Sequence, residues 1–267
     1  MISASEMDDI LESDHSWNGA KETAKPNLKK MFDTTPVEGQ PEIELLLCYL
    51  QPKDLPEVLI PMSKIPYDRL YLRYMESDDA FKLMRKKVLE QYKDYTHIVI
   101  VTNDVIVEPK HMEMLERTIR QNLHYPVISG VFNLDLTPYG QSVWNITFNR
   151  AHEDQDKREY HWIKKSDFPK DEPGYVNLLQ VKFAGFPLMA IRRDVFEEIP
   201  IRGDGEVNRR PDIQQAHDLC FCNDLSDAGI PIMANIDIDM IHLRYQGEML
   251  VGIKKPEVEF VSRYKTT

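Results

Sequence analysis

Three polar side chains stand at places in the sequence where catalysis or metal binding commonly occurs. Asp104 follows the apolar run at 98–101, in the turn Thr102-Asn103-Asp104. A carboxylate at the carboxyl end of a buried strand offers oxygen ligands to a hard divalent cation. Aspartate is also common in ordinary turns, so the position leaves both interpretations open.

Asp218 and His242 are the other two side chains. Asp218 lies within a predicted helix, beside the apolar residues 219–221, which would hold it against a sheet. Its carboxylate is then able to act as a general base; the alternative is a solvated acid or a first-turn acid that the helix dipole favours. His242 closes a predicted strand. A neutral imidazole is a competent ligand for a cation such as manganese, although a histidine at a strand end also has structural uses.

Predicted strands and helices alternate along the chain, and this order decides where the three side chains lie. The sequence predicts strands at 42–50, 67–74, 96–101, 126–132, 176–183, 185–191 and 232–241. It predicts helices at 77–92, 109–123 and 212–228, another helix beginning near 193, and a loop around the prolines at 52 and 56. We therefore expect an α/β fold with a central, mostly parallel sheet flanked by helices, which binds ligands at the carboxyl ends of its strands.

The length of 267 residues and the hydrophobic content of 42% fit one main domain. We expect this domain to cover 41–250. Residues 1–40 lack sustained periodicity and are predicted to form an extended or loosely ordered arm. The polar and aromatic stretch 134–174 is predicted to be an irregular insertion, and 251–267 a C-terminal tail.

The charge and the cysteine content exclude several classes of protein. The 33 Lys and Arg are outnumbered by 44 Asp and Glu, and no basic stripe is present, so nucleic acid is not an expected partner. Three cysteines do not make a framework of paired disulfides and are predicted to be buried thiols. No apolar run approaches the roughly 20 residues of a transmembrane segment, and residues 1–11 lack the pattern of an export signal, so we expect a cytoplasmic protein.

Four segments of the sequence occur in a specific order. They are the strand and acidic turn at 95–109, the glycine-led segment at 185–196, the predicted helix at 216–229 and the strand end at 238–243. In this order they resemble the motifs of GT-A fold glycosyltransferases, in particular the large inverting family 2-like sugar-nucleotide transferases. The resemblance covers roughly 42–245, and four ordered segments are more specific than any one of them.

The resemblance implies a role for the acidic turn and for the end of the last strand. In the family a D-x-D motif holds a divalent cation on the donor diphosphate. Asp104 matches the second aspartate of that motif, and Thr102 stands in place of the first. His242 matches a metal-binding histidine. Asp104 and His242 are therefore expected to bind Mn²⁺ or Mg²⁺, with Asn103 beside Asp104 at the nucleotide sugar.

Gly185 and Asp218 take their expected roles from the other two segments. Gly185 opens the glycine-led segment and is expected to lie, with Asn103 and Asp104, in the cofactor-binding site. The helix of the family opens with an E-D pair, which is His217-Asp218 in this sequence. Asp218 matches the catalytic base of inverting members, and His217 replaces its acidic neighbour.

The function that the resemblance implies is transfer of a sugar from a nucleoside-diphosphate sugar to an acceptor hydroxyl, with inversion and with a divalent cation. A glycan, a lipid-linked molecule or a protein would serve as acceptor. The first alternative is a catalytically silent GT-A-like module that binds a sugar nucleotide or a glycan. The second is nucleotidyl transfer, which would require a Gly-rich basic loop that residues 50–61 do not contain.

Two further groups of residues have both a functional and a structural interpretation. Aromatic rings in the predicted insertion are able to stack on the sugar rings of an acceptor, and arginines near 203–211 are able to contact phosphate. The alternative for both groups is packing or a solvated surface. The residues concerned are Trp144, Tyr160 and Trp162, and Arg202, Arg209 and Arg210.

Overall fold

The computed structural model describes residues 42–51, 55–134, 143–148, 162–170, 175–202, 217–243 and 256–263. The predicted arm at 1–40 lies outside these ranges. The helices are α1 (Pro56–Ser63), α2 (Ser77–Gln91), α3 (Pro109–Gln121), α4 (Arg193–Glu198) and α5 (His217–Asp227). The strands are β1 (Leu45–Gln51), β2 (Asp68–Arg73), β3 (His97–Thr102), β4 (Val105–Ile106), β5 (Val127–Phe132), β6 (Val143–Thr147), β7 (Trp162–Lys164), β8 (Leu178–Val181), β9 (Phe183–Ala184), β10 (Met189–Arg192), β11 (Ile232–His242) and β12 (Glu257–Val261).

A large sheet forms the centre of the described structure, in the order β12-β2-β1-β3-β10-β5-β11-β4, and β8 also pairs with β11. Side chains on its two faces belong to two separate hydrophobic clusters. On β1, Leu46 and Cys48 pack with residues of α2, whereas Leu47 and Tyr49 pack with residues of α1 and α3. Because both faces are covered, β1 and β3 are continuous apolar runs rather than alternating ones, which explains why the sequence predicts them well.

The α/β class is confirmed, but the sheet is mixed rather than mostly parallel. β1 runs parallel to β2 and β3, and β5 runs parallel to β11. Between these groups β10 is antiparallel to both β3 and β5. Residues 185–188 join β9, a strand of the second sheet, to β10 in the large sheet. Because β10 is antiparallel to β3 and β5, it begins at the edge where those strands end.

Helix α1 occupies the region where the sequence predicted a loop. Pro56 stands in the first turn of the helix, where a missing N–H is tolerated. Pro61 lies inside the helix, and because proline normally breaks helices, the sequence did not predict one here. Tertiary contacts keep this turn in place: Val58 and Met62 are fully buried, and the Arg69 guanidinium donates to the Met62 carbonyl at 2.6 Å.

A second sheet of three strands, in the order β7-β6-β9, lies within and beside the stretch predicted as an irregular insertion. The stretch 134–174 therefore contains two strands, β6 and β7, where the sequence predicted irregular structure. All five residues of β6 are buried. The predicted tail at 251–267 contributes β12, which pairs with β2 at the edge of the large sheet. None of the helices in the described ranges has the length and apolar character needed to cross a membrane.

Candidate active site

The turn after β3 and the end of β11 are joined by backbone pairing. β4 follows the turn and pairs antiparallel with the end of β11, with Val105 opposite His242. The Leu243 amide donates to the Asp104 carbonyl at 2.6 Å. This pairing brings Asp104 Oδ2 within 3.3 Å of His242 Nε2. The structure therefore places together the two residues that the sequence predicted as metal ligands.

Thr102 orients the Asp104 carboxylate from the other side. Its hydroxyl donates to Asp104 Oδ1 at 2.5 Å. Burial acts to raise the pKa of Asp104, but hydrogen bonds from His242 and Thr102 outweigh it and hold this pKa below its ordinary value. Asp104 is therefore a carboxylate anion at neutral pH. Asn103 lies in the same turn and is partly exposed.

Phe132, at the end of β5, links the Asp104 region to the centre of the site. Its ring stacks on His242, with centroids 4.8 Å apart and planes inclined by 26°. Its backbone amide donates to Asn145 Oδ1 at 2.7 Å. The edge of the same ring lies 3.3 Å from the position that a Cβ atom on Gly185 would take.

Asp218 lies on the face of α5 that packs against β9. The Cys222 thiol, one turn further along the helix, donates to the Ala184 carbonyl at 3.3 Å and fixes this packing. The Leu219 amide donates to Asp218 Oδ1 at 2.8 Å. Burial raises the pKa of Asp218 to about 6, against hydrogen bonds from the Leu219 and Phe186 amides that lower it, and the charge of Asp104 adds to the rise.

Gly185 is required because other groups approach it closely. A Cβ atom there would lie 2.9 Å from Asn145 Nδ2 and 3.4 Å from Asp218 Oδ2. Any side chain would therefore displace the Asn145 amide or narrow the space in front of the Asp218 carboxylate. The structure places Gly185 beside Asn145, Phe132 and Asp218.

Asn145 and Phe132 are site residues that the sequence analysis missed. Asn145 is 2% exposed and lies in the middle of β6. The signal for it was present, since a lone asparagine among Val143, Trp144 and Ile146 needs a polar partner if the run is a buried strand. The run was not predicted as a strand, because the surrounding stretch is polar.

His217 ties the start of the described α5 to α2. Its Nε2 lies 2.6 Å from Asp78 Oδ1, and its ring lies 4.5 Å from the Phe81 ring, centroid to centroid. These contacts hold α5, the helix that carries Asp218, against α2. His217 and Asp78 form an interhelical ion pair when the imidazole is protonated.

The prediction of an acceptor platform is wrong for Trp144. This side chain is 2% exposed and packs near Phe168 in the core, so its faces are covered. Trp162 is partly buried and meets Phe183 edge to face. Arg202 forms an ion pair with Asp224 rather than standing alone near a phosphate site. Tyr160, Arg209 and Arg210 lie outside the described residues.

The metal-ligand chemistry of the site comes from one pair of residues. Within the ranges that the structure describes, no group of three or more His, Cys, Asp or Glu side chains is arranged to hold an ion. Asp104 and His242 would therefore supply two ligands, and a bound substrate and water would have to supply the others. The three predicted thiols, Cys48, Cys220 and Cys222, are buried and form no disulfide with one another, as expected.

No family model matches this chain, and no curated protein matches its sequence significantly. Among solved structures, the chain is similar to A197 from STIV. The two share 14% sequence identity with a TM-score of 0.43, over 77% of this chain and 97% of that protein.

Proposed function

We propose that this protein is a metal-dependent, inverting glycosyltransferase with a GT-A-type fold, which transfers a sugar from a nucleoside-diphosphate sugar to an acceptor hydroxyl. The observation that carries the proposal is the proximity of three polar side chains: Asp104 contacts His242, and the charge of Asp104 acts on Asp218. Asp104 and His242 are 138 residues apart in the chain and 3.3 Å apart in space. Phe132 and Gly185 fill the region between this pair and Asp218.

The Asp104–His242 pair fits a divalent cation by chemistry and by spacing. Carboxylate oxygen and imidazole nitrogen are both ligands for Mn²⁺. Neighbouring ligands of an octahedral ion, with bonds of about 2.1 Å, lie about 3 Å apart, close to the 3.3 Å between these donor atoms. When bound, the cation supplies Lewis-acid stabilisation to the departing diphosphate. Thr102 and the pairing of β4 with β11 hold the two ligands in register for it.

Asp218 has the properties of a general base. A base is most effective when its pKa lies near the working pH, and burial raises this pKa to about 6. In the proposed reaction an acceptor oxygen forms a bond to the anomeric carbon as the bond from that carbon to the diphosphate breaks. The hydroxyl proton passes to the Asp218 carboxylate, and the electron pair of the broken bond leaves on the diphosphate. Direct attack inverts the configuration of the sugar.

A silent module that binds a sugar nucleotide or a glycan is the second candidate. Two substitutions favour it: Thr102 stands where the family has an acid, and His217 replaces the other acid. Both candidates predict binding of a sugar nucleotide, but only the transferase predicts release of nucleoside diphosphate. Turnover therefore separates them.

Thermal unfolding with UDP-, GDP- and dTDP-sugars, with and without Mn²⁺, tests the binding part of the proposal. A ligand at about a hundred times its Kd adds about 2.7 kcal/mol to the free energy of unfolding. We expect one donor to stabilise the protein only with Mn²⁺, and Asp104→Ala to remove the effect. Asp94→Ala is the matched control, since Asp94 is an exposed turn aspartate before β3, at the opposite edge of the sheet. Equal responses of the two variants would reject Asp104 as a ligand.

A further inference from the structure

Strand β11 contains a bulge where it pairs with β5. Between the pair Ala234–Ser129 and the pair Asp239–Val131, β11 advances by five residues while β5 advances by two. Three extra residues of β11 therefore lie between the two pairs. Bulges are common beside active sites, where they redirect a side chain. His242, a ligand in the proposed metal site, is the last residue of this strand.

The bulge exchanges the two faces of β11. Successive side chains of a strand point to opposite faces, so a shift by an odd number of residues turns each later side chain over. The even-numbered residues before the bulge, ending at Ile236, pack in the cluster that includes α2, whereas Ile238 and Met240 pack in the cluster that includes α1 and α3. His242 lies on this second face, where its ring stacks on Phe132. In a strand without the bulge, position 242 would point to the first face.

Asn235 holds the bulge on the side of α3. Its side chain is buried, and its Nδ2 donates to Thr118 Oγ1 at 2.7 Å. Its Oδ1 accepts a hydrogen bond from the Asp237 amide at 2.9 Å. An asparagine oxygen that accepts from the amide two residues further on bends the backbone into a turn. Gly130, the residue of β5 opposite the bulge, takes part in none of these contacts.

Asp237 holds the bulge on the other side. Its carboxylate accepts hydrogen bonds from the Tyr175 hydroxyl at 2.9 Å and from Asn177 Nδ2 at 3.0 Å. The Lys170 ammonium lies 2.6 Å from the same carboxylate. The Ile236 amide donates to the Asn177 carbonyl at 2.9 Å. The backbone of the bulge is therefore fixed from both sides.

From this geometry we infer that the bulge of β11 positions His242 opposite Asp104, and that Asn235 and Asp237 are positioning residues of the metal site. Both residues act through the backbone of β11. Their effect on metal binding rests on the proposed function, whereas their effect on the position of His242 does not. Loss of a group that orients a metal ligand typically lowers metal affinity by about 10–100-fold.

Three variants and one matched control test the inference. Asp237→Ala removes the carboxylate contacts of the bulge, and Asp237→Asn keeps an oxygen that accepts hydrogen bonds. Asn235→Ala removes the contacts on the side of α3, and Asp237→Ala decides the result if this buried variant does not fold. Glu116→Ala is the control, because Glu116 also binds a tyrosine and a cation, Tyr67 and Arg120, but joins α3 to the residue before β2.

Two measurements on the full chain separate the position of His242 from metal binding. Hydrogen exchange of the Leu243 amide, which donates to the Asp104 carbonyl, reports the pairing of β4 with the end of β11 without a metal. The amide of Ile100, in the buried strand β3, is the internal reference for global unfolding. Thermal unfolding with increasing Mn²⁺, alone and with UDP-, GDP- and dTDP-sugars, gives the midpoint of the metal titration.

We expect the Leu243 amide to exchange about tenfold faster, relative to Ile100, in Asp237→Ala and Asn235→Ala, the effect of one lost hydrogen bond. The Mn²⁺ midpoint should rise by about tenfold or more in both variants. Asp237→Asn and Glu116→Ala should match the wild type in both measurements.

Two outcomes would overturn the inference and leave the proposed function standing. One is wild-type exchange of Leu243 in Asp237→Ala, and the other is faster exchange with an unchanged Mn²⁺ midpoint. A third outcome separates the two proposals: if exchange is faster in Asp237→Ala but Mn²⁺ has no effect on the wild type, the bulge positions His242 and the metal-dependent function is wrong.

Discussion

The two ends of the candidate site differ in how completely their polar groups are satisfied. At the Asp104 end, Thr102 and His242 both contact the carboxylate, and the pKa of Asp104 is held below its ordinary value. At the Asp218 end, burial raises the pKa of the carboxyl to about 6, and Asn145 nearby has a donor without a partner in the described structure. The Asp104 end is built to keep a negative charge, which suits a cation. The Asp218 carboxyl gains a proton more readily than an ordinary aspartate, as the proposed general base requires.

Replacement of Asp218 should have the largest effect on turnover. Asp218→Asn removes the proton acceptor while it keeps an oxygen for the Leu219 amide. A general base contributes about 10²–10⁴-fold to rate, so we expect the release of diphosphate to fall by this factor with donor stabilisation unchanged. A variant that lost donor binding as well would show that the two ends are not separate in function.

Gly185→Ala should weaken the Asp218 end by a smaller factor. The new Cβ would lie 2.9 Å from Asn145 Nδ2 and 3.4 Å from Asp218 Oδ2, and crowding of the proposed base should slow turnover about tenfold, because small displacements from the productive geometry cost rate. Overpacking should also lower the free energy of unfolding by about 1–3 kcal/mol. Diphosphate release measures the turnover, and urea unfolding measures the free energy of unfolding.

Gly130→Ala is the matched control for this change. Its Cβ would lie 2.9 Å from the Ile238 side chain, in the core and away from Asn145. It should lose stability to a similar degree and keep the turnover of the folded protein. Equal losses of turnover in the two variants would mean that overpacking alone explains the effect of Gly185→Ala.

Thr102→Val tests the Asp104 end through a residue that orients a ligand. The valine keeps the shape of threonine but removes the hydroxyl that donates to Asp104 Oδ1. Loss of such a supporting hydrogen bond typically lowers metal affinity about 10-fold or more, which a Mn²⁺ titration of donor stabilisation would measure. Thr102→Ser restores the hydroxyl and should restore the affinity. If the midpoint of the Mn²⁺ titration were the same for Thr102→Val as for the wild type, Thr102 would not support metal binding.

The dependence of stability on pH should have opposite signs at the two ends. The folded pKa of Asp218 is about 6 and its ordinary value is 3.8. The charged carboxylate therefore destabilises the fold above pH 6, and this penalty is relieved as the pH falls from 6 to 4. Asp218→Asn should stabilise the protein at pH 8, by about 1 kcal/mol when partial exposure is allowed for, and by less at pH 5.

Asp104→Asn should do the reverse. Its depressed pKa contributes stability that is present above the unfolded value and is lost as the pH falls through the folded one. The variant should therefore lose stability at pH 8 relative to the wild type. Urea unfolding at the two pH values measures both variants, and equal signs would contradict the contrast between the ends.

The sequence predicted the Asp104 end more fully than the Asp218 end, for physical reasons. Asp104 follows the buried, largely apolar strand β3, a pattern that is local and strong, and His242 is the last residue of β11. The position of Gly185 depended on the antiparallel direction of β10 and on the change of sheet between β9 and β10, which no periodicity reveals. Asn145 lies in a buried strand within a stretch whose average composition is polar. Trp144, next to it, is an aromatic residue of the kind that stacks on sugar rings. Only the structure, in which the side chain is 2% exposed, shows that it belongs to the core.

Release of nucleoside diphosphate from the stabilising donor, measured with and without Mn²⁺ for the wild type, Asp104→Ala and Asp218→Asn, is the decisive test of the proposed transferase. We predict Mn²⁺-dependent release by the wild type. Asp104→Ala should lose the response to the metal together with donor binding, and Asp218→Asn should bind the donor without releasing diphosphate at an appreciable rate. Donor binding by all three proteins with no release from any of them would contradict the transferase and leave a binding module in its place.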